Sequence, residues 1–178
     1  MSILIRKEMP EDYATTEKVV ETAFKHAEFS DQKEHFLVNR LRTSDAFIPE
    51  LSLVAVNKDA DIVGHTMVTR IQIENGASTT ESLALAPVSV LPDYQNKGIG
   101  STLIRAAIEK ARELGYRSII VLGHKDYYPK FGFLRASRWN IRAPFEVQDD
   151  VFMALELVEG ALDTAHGTVR YSNAFFEY

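Results

Sequence analysis

Cysteine is absent from the 178-residue chain. Without a thiol there is no disulfide, no thiolate metal site and no cysteine nucleophile, and the composition suits a reducing compartment. Long apolar runs are missing as well. No stretch approaches the roughly 20 apolar residues that a membrane-spanning helix needs. The N-terminal Ile3-Leu4-Ile5 is too short for the core of a signal peptide, so the expected location is the cytoplasm. There is no basic excess: 20 Lys and Arg stand against 25 Asp and Glu, for a net charge of −5. That balance argues against a broad nucleic-acid footprint and leans towards a cationic partner. The five histidines are scattered and none falls in a His-Glu-x-x-His pattern, so no metal is expected. Repeats, low-complexity tracts and a convincing linker are lacking too.

What remains is ordinary globular material, 46% hydrophobic and 25% charged. The length fits one domain over 1–178. Ile3-Leu4-Ile5-Arg6 reads as a first strand. Pro10-Glu11-Asp12 opens a helix whose apolar face carries Val19, Val20, Ala23, Phe24 and Ala27. A second helix is predicted over 32–42, with Phe36, Leu37 and Leu41 inward. Strands follow at 51–56 and 62–73. On the latter, strict alternation places Val63, His65, Met67, Thr69, Ile71 and Ile73 on one face. Asn75-Gly76-Ala77 and the Ser/Thr run after it read as a loop.

The most informative stretch runs from 83 to 115. A strand over 82–91 contains Pro87, which cannot donate to a sheet ladder and therefore marks an edge or a bulge. Pro92 ends it. A short turn, Asp93-Tyr94-Gln95-Asn96-Lys97-Gly98-Ile99-Gly100-Ser101, then leads into a helix. Ile99, Leu103, Ile104, Ala107, Ile108, Ala111 and Leu114 form its apolar face, and Gly115 stops it. Such a helix mouth carries unpaired backbone N–H groups and a positive dipole end. Gly98 and Gly100 leave room for a phosphate oxygen, and Lys97 adds charge. The same glycines would also serve tight packing of the helix on its strand. A P-loop is excluded because no Lys-Ser/Thr pair follows the last glycine, and a dinucleotide fingerprint fails at Leu103.

Gln95-Asn96-Lys97-Gly98-Ile99-Gly100 resembles the Gln/Arg-x-x-Gly-x-Gly/Ala loop of the GNAT superfamily of acetyl-CoA-dependent N-acetyltransferases. Val88-Ser89-Val90-Leu91-Pro92 resembles the end of that family's fourth strand. Tyr127-Tyr128-Pro129-Lys130-Phe131-Gly132-Phe133 is similar to its downstream Tyr-x-x-x-Gly-Phe element. The resemblance spans most of the chain and is nearest to a bacterial single-domain subgroup with a short C-terminal extension, here a β extension from about 140. It implies an α/β fold: a mixed, mostly antiparallel twisted sheet with helices on both faces and a splay between strands four and five.

The resemblance also implies a site. Acetyl-CoA would be the cosubstrate. Val88, Ser89 and Val90 would pair with its pantetheine arm, and Gln95, Asn96, Lys97, Gly98, Ile99, Gly100 and Ser101 would hold its pyrophosphate. The Val90 N–H would face the thioester oxygen. Tyr128, four residues before Gly132, would meet the departing sulfur. With a phenol near 10 against a thiol near 8.5, it can donate a hydrogen bond or a proton there. The acceptor would be a primary amine of a small molecule or peptide, with no nucleic acid or membrane partner and room for a homodimer. For the base, Glu34, His65, Glu81, His124 and a water chain all stay open, and the helix pair would bring Glu34 and His35 towards the acceptor. The alternative is a GNAT-fold sensor that binds CoA or a small ligand without turnover.

Overall fold

Val, Ile and Thr crowd the runs on either side of Asn75-Gly76-Ala77, and they build the longest hairpin of the protein. In the computed structural model, which describes residues 2–28 and 30–176, β3 (Ile62–Asn75) and β4 (Ser78–Val90) pair antiparallel. Gly76 takes φ +55°, the left-handed region that so short a connection demands. The Ser/Thr run expected as a loop is therefore strand. The tight turn sets Ser78 opposite Asn75, and the ladder starts at once.

Around this hairpin lie β1 (Leu4–Lys7), β2 (Ser52–Val56), β5 (Ser118–Leu122), β6 (Leu134–Arg135), β7 (Ile141–Arg142), β8 (Phe152–Glu156) and β9 (Gly167–Arg170). The strand order is β1-β2-β3-β4-β5-β8-β6, with β9 added to β3 and β7 to β9. Only β4–β5 and β7–β9 are parallel among the described residues. The sheet is thus mixed and mostly antiparallel.

Helices cover both faces. Val68 packs with Leu103, Ile104 and Ala107 of α3 (Ile99–Glu113). Its neighbour Met67 packs with Val20 of α1 (Tyr13–Phe24) and Leu41 of α2 (Glu34–Arg42). Adjacent strand residues point to opposite faces, so the α1–α2 pair and α3 sandwich the sheet. Pro10–Asp12 forms a 3-10 turn ahead of α1 rather than its first α turn.

Three expectations of periodicity are corrected. Phe36, expected inward with Leu37 and Leu41, is 54% exposed on α2. Val63 joins the α3 side of the core, away from His65 and Met67, because the β2–β3 register slips between Ala55 and Val56. Leu114 ends α3 at 41% exposure instead of completing its buried face, and Gly115 turns the chain away at φ +88°.

Pro87 does mark a bulge. Thr66 opposes Val88 and Val68 opposes Leu85, so β4 carries one extra residue across Ala86-Pro87. Thr66 Oγ1 donates to the Pro87 carbonyl at 3.1 Å. Beyond the single bridge Ala84↔Ile120, β4 and β5 part. The sheet splays there, and the gap positions the site.

Candidate active site

Past the bulge, the register decides which backbone groups are free. Leu91 N–H donates to the Val63 carbonyl at 2.9 Å while Gly64 opposes Val90. Val90 therefore sits in a non-hydrogen-bonded pair and turns its own N–H away from β3, towards the gap. Val88, two residues earlier in the same register, does likewise. The Val90 carbonyl accepts from Gln95 Nε2 at 3.0 Å, which ties the following loop to the strand end.

The loop enters α3 through two left-handed residues, Asn96 at φ 62° and Gly98 at φ 82°. Gly98 is the N-cap and brings no side chain to the first turn, so the leading N–H groups of α3 stay unpaired within the helix. Thr102 closes the turn by donating both its N–H and its Oγ1 to the Gly98 carbonyl, at 3.0 and 2.9 Å. At Gly100 the constraint is proximity. A Cβ there would stand 3.3 Å from the Tyr127 hydroxyl and 3.8 Å from Val90 Cγ2.

The second wall comes from the segment after β5. His124 holds it: its carbonyl accepts from the N–H groups of Tyr127 and Tyr128 at 3.1 and 3.3 Å. A 3-10 turn, Tyr128–Phe131, ends at Gly132 with φ 102°. The Tyr128 ring meets Tyr127 and Phe133 edge-on, at centroid distances of 5.1 and 5.8 Å. It also lies flush on Gly123, where a Cβ would stand 2.9 Å from Tyr128 Cδ2 and closer still to Cε2. Burial, aided by the neighbouring Tyr127, pushes the Tyr128 phenol up to about 12. Its hydroxyl makes no hydrogen bond among the described residues.

These walls enclose one cleft of about 500 Å³. Of the residues picked from the sequence, Val88, Val90, Gln95 and Asn96 line it, as do Gly98, Ile99, Gly100, Ser101 and Tyr128. Two do not. Ser89 points to the opposite face and is buried, with its Oγ unpartnered. Lys97 borders a separate depression with Asn57, Asp59 and Asp93. Tyr94, Tyr127 and Lys130 line the cleft without having been picked out for it. Tyr127 shares a hydrogen bond with Ser101 Oγ at 3.2 Å, and Lys130 Nζ stands 4.0 Å from the Tyr127 ring centroid. The Tyr-Tyr-Pro-Lys run carried that signal: one turn of helix brings residues three apart to the same side.

The family model for "Acetyltransferase (GNAT) family" matches residues 8–133. The chain belongs to the GNAT family. Among its relatives is the uncharacterized N-acetyltransferase YjhQ of Escherichia coli K12, 39% identical over 105 residues, which is 59% of this chain and 58% of YjhQ. YhbS, another uncharacterized N-acetyltransferase of that strain, is 25% identical over 97% of this GNAT chain and 98% of its own. The crystal structure of E. coli YhbS in complex with CoA superposes with a TM-score of 0.88 at 23% identity, over 99% of this chain and 93% of that one. A GNAT family acetyltransferase from Brucella melitensis, in complex with acetyl-CoA, gives 0.80 at 34% identity over 98% of both chains.

None of the four side chains considered as a base lines the cleft. Glu34 accepts from Ser30 Oγ at 2.6 and 2.8 Å, one oxygen each. Its neighbour His35 pairs with Glu21 at 3.2 Å. Glu81 lies exposed on the hairpin, opposite Gln72. His124 Nδ1 accepts from the Asp126 N–H at 3.3 Å. His65 belongs to a buried polar cluster. Ser52 Oγ stands 3.1 Å from its Nε2 and donates to Glu8 Oε1 at 2.8 Å, and Arg42 pairs with Glu8 at 2.7 Å. Burial lowers His65 to about 4; Glu8 opposes that shift and Arg42 adds to it. Among the described residues no group of three His, Cys, Asp or Glu could hold a metal ion, and no helix is long and apolar enough to cross a membrane.

Proposed function

We propose that this GNAT chain transfers an acetyl group from acetyl-CoA to a primary amine of a small molecule or peptide, by direct attack in a ternary complex in the cytoplasm. One observation carries the reading. A single cleft gathers the open first turn of α3, the outward N–H of Val90 and the unbonded hydroxyl of Tyr128. Acetyl-CoA would supply the activated acyl group. The cleft residues suit it. The Gly98–Ser101 turn offers N–H groups and a positive dipole end to a pyrophosphate, and Val88 offers backbone pairing to an extended arm.

Val90 would then donate to the thioester oxygen as negative charge builds there. One such pre-aimed donor is worth about 3 kcal/mol in other acyl-transfer sites. Tyr128 would donate to the departing sulfur. Burial holds the phenol at about 12, above a thiol's reference value near 8.5, so full proton transfer to the sulfur is uphill. Tyr128 therefore acts as a hydrogen-bond donor, and water takes and returns the protons.

Titration of CoA into the protein, together with thiol release from acetyl-CoA across a panel of amines, tests the proposal. The wild type should bind CoA and release thiol only with an amine present. Gly98→Glu, which puts bulk and negative charge at the helix mouth, should abolish CoA binding. Undiminished binding by that variant refutes the loop assignment.

A further inference from the structure

The gap between β4 and β5 opens on the other face of the sheet as well. A cavity of about 250 Å³ lies there, beneath α2 and the C-terminal segment. Ala86 of β4, Leu122 of β5 and Leu37 of α2 line it, and Phe145, Tyr171 and Phe175 wall its far side. Phe145 stacks on Tyr171 at 6.1 Å and 17°, and Phe175 tilts against Tyr171 at 5.0 Å. Ala86 lies in the bulge and Val88 follows it. The two cavities are thus at most about 7 Å apart along the strand. Whatever reaches the thioester from this side keeps the rest of its body in the aromatic cavity.

The chemistry of that cavity is one-sided. None of the described residues lining it is charged. Leu122 and Phe145 stay 47% and 40% exposed at its rim. A diamine would leave its second ammonium there without a counter-charge, at a high desolvation cost. An aromatic ring fits instead: an apolar cavity of about 150 Å³ already holds benzene. Among the described lining residues the one polar side-chain group is the Tyr171 hydroxyl, which makes no hydrogen bond among the described residues. The net acidity of the chain leaned towards a cationic acceptor; the lining of this cavity points the other way.

We propose that the acceptor is a primary amine carrying an aromatic or branched apolar group, seated in the cavity between α2, the C-terminal aromatic residues and the open edges of β4 and β5. The proposal rests on the acetyltransferase reading. In the reaction the neutral amine nitrogen bonds to the acetyl carbon and the carbon–sulfur bond breaks. The nitrogen loses one proton and the sulfur gains one, through water, giving an amide and free CoA thiol.

The test compares 2-phenylethylamine with putrescine, in thiol release from acetyl-CoA and in calorimetric binding to CoA-saturated protein. The kcat/KM for 2-phenylethylamine should exceed that for putrescine by at least about tenfold, the scale on which apolar pockets sort substrates. Leu122→Asp, at a rim position already exposed, should keep CoA affinity and lose 2-phenylethylamine binding. Preference for putrescine, or no binding of 2-phenylethylamine, overturns the proposal even if acetyl transfer proceeds. Binding of 2-phenylethylamine that Leu122→Asp removes, with no thiol release from any amine, keeps the cavity assignment and removes the acetyltransferase reading.

Discussion

Gly123→Ala probes Tyr128 without altering its chemistry. Apolar carbons rest about 3.5–4.0 Å apart, whereas a Cβ at position 123 would meet Tyr128 Cδ2 at 2.9 Å and Cε2 closer still. The ring must therefore move by about 1 Å or more. Phe133 and Tyr127 hem it in on other sides, so it cannot simply tilt into free space. A displacement of about 1 Å at a reacting group costs on the order of 100-fold in rate. The overpacking itself should cost about 1–3 kcal/mol of stability. Both are measurable: kcat from thiol release with the fastest amine, and stability from urea unfolding. With β4 and the α3 mouth as the proposed CoA-binding elements, CoA affinity should stay within about threefold, or ~0.7 kcal/mol. Gly123→Ala combined with Tyr128→Phe should be no slower than the worse single variant, because both act through one hydroxyl. A stable Gly123→Ala protein with wild-type kcat would show that the position of Tyr128 is immaterial to turnover.

Tyr128→Phe alone, which removes one hydrogen-bond donor, should lower kcat by ~100- to 1,000-fold while CoA binding persists. Because burial holds the phenol near 12, the wild-type kcat should show no loss from Tyr128 deprotonation below about pH 11. An alkaline fall near pH 9 that Tyr128→Phe abolishes refutes that assignment. His65 gives a stability test with the opposite pH sense. Its folded pKa is depressed, so its contribution is complete above about pH 6.5 and is lost as pH falls towards about 4. Urea unfolding should show about 3 kcal/mol of extra acid sensitivity over that range relative to His65→Asn, and equal slopes would refute the buried neutral histidine.

Much of the site was legible because its signals are local. Gly98 and Gly100 are read directly from the turn they open, and Pro87 announces a bulge wherever it interrupts a paired strand. Tyr128 follows from its spacing to Gly132. The misreadings arose where a partner strand or packing decides. Val63 left its row because the slip lies in pairing with β2. Residues 78–81 became strand because a two-residue turn imposed pairing on polar side chains. That Lys97, adjacent to the glycines in sequence, borders a second depression is likewise something no local pattern foretells. Gly123 looks like an ordinary strand end until the Tyr128 ring is seen lying on it.

By itself the sequence determined most of the elements, the helix mouth and the glycine and proline positions, since backbone conformation depends largely on neighbours within a few residues. Only the tertiary structure decided which face each group serves. It separated Ser89 from Val88 and Val90, locked His65 into a buried cluster, and joined Leu37, Leu122 and Tyr171 in one aromatic cavity. Residues more than 130 positions apart meet there because the sheet splays between β4 and β5, and no local pattern encodes that geometry.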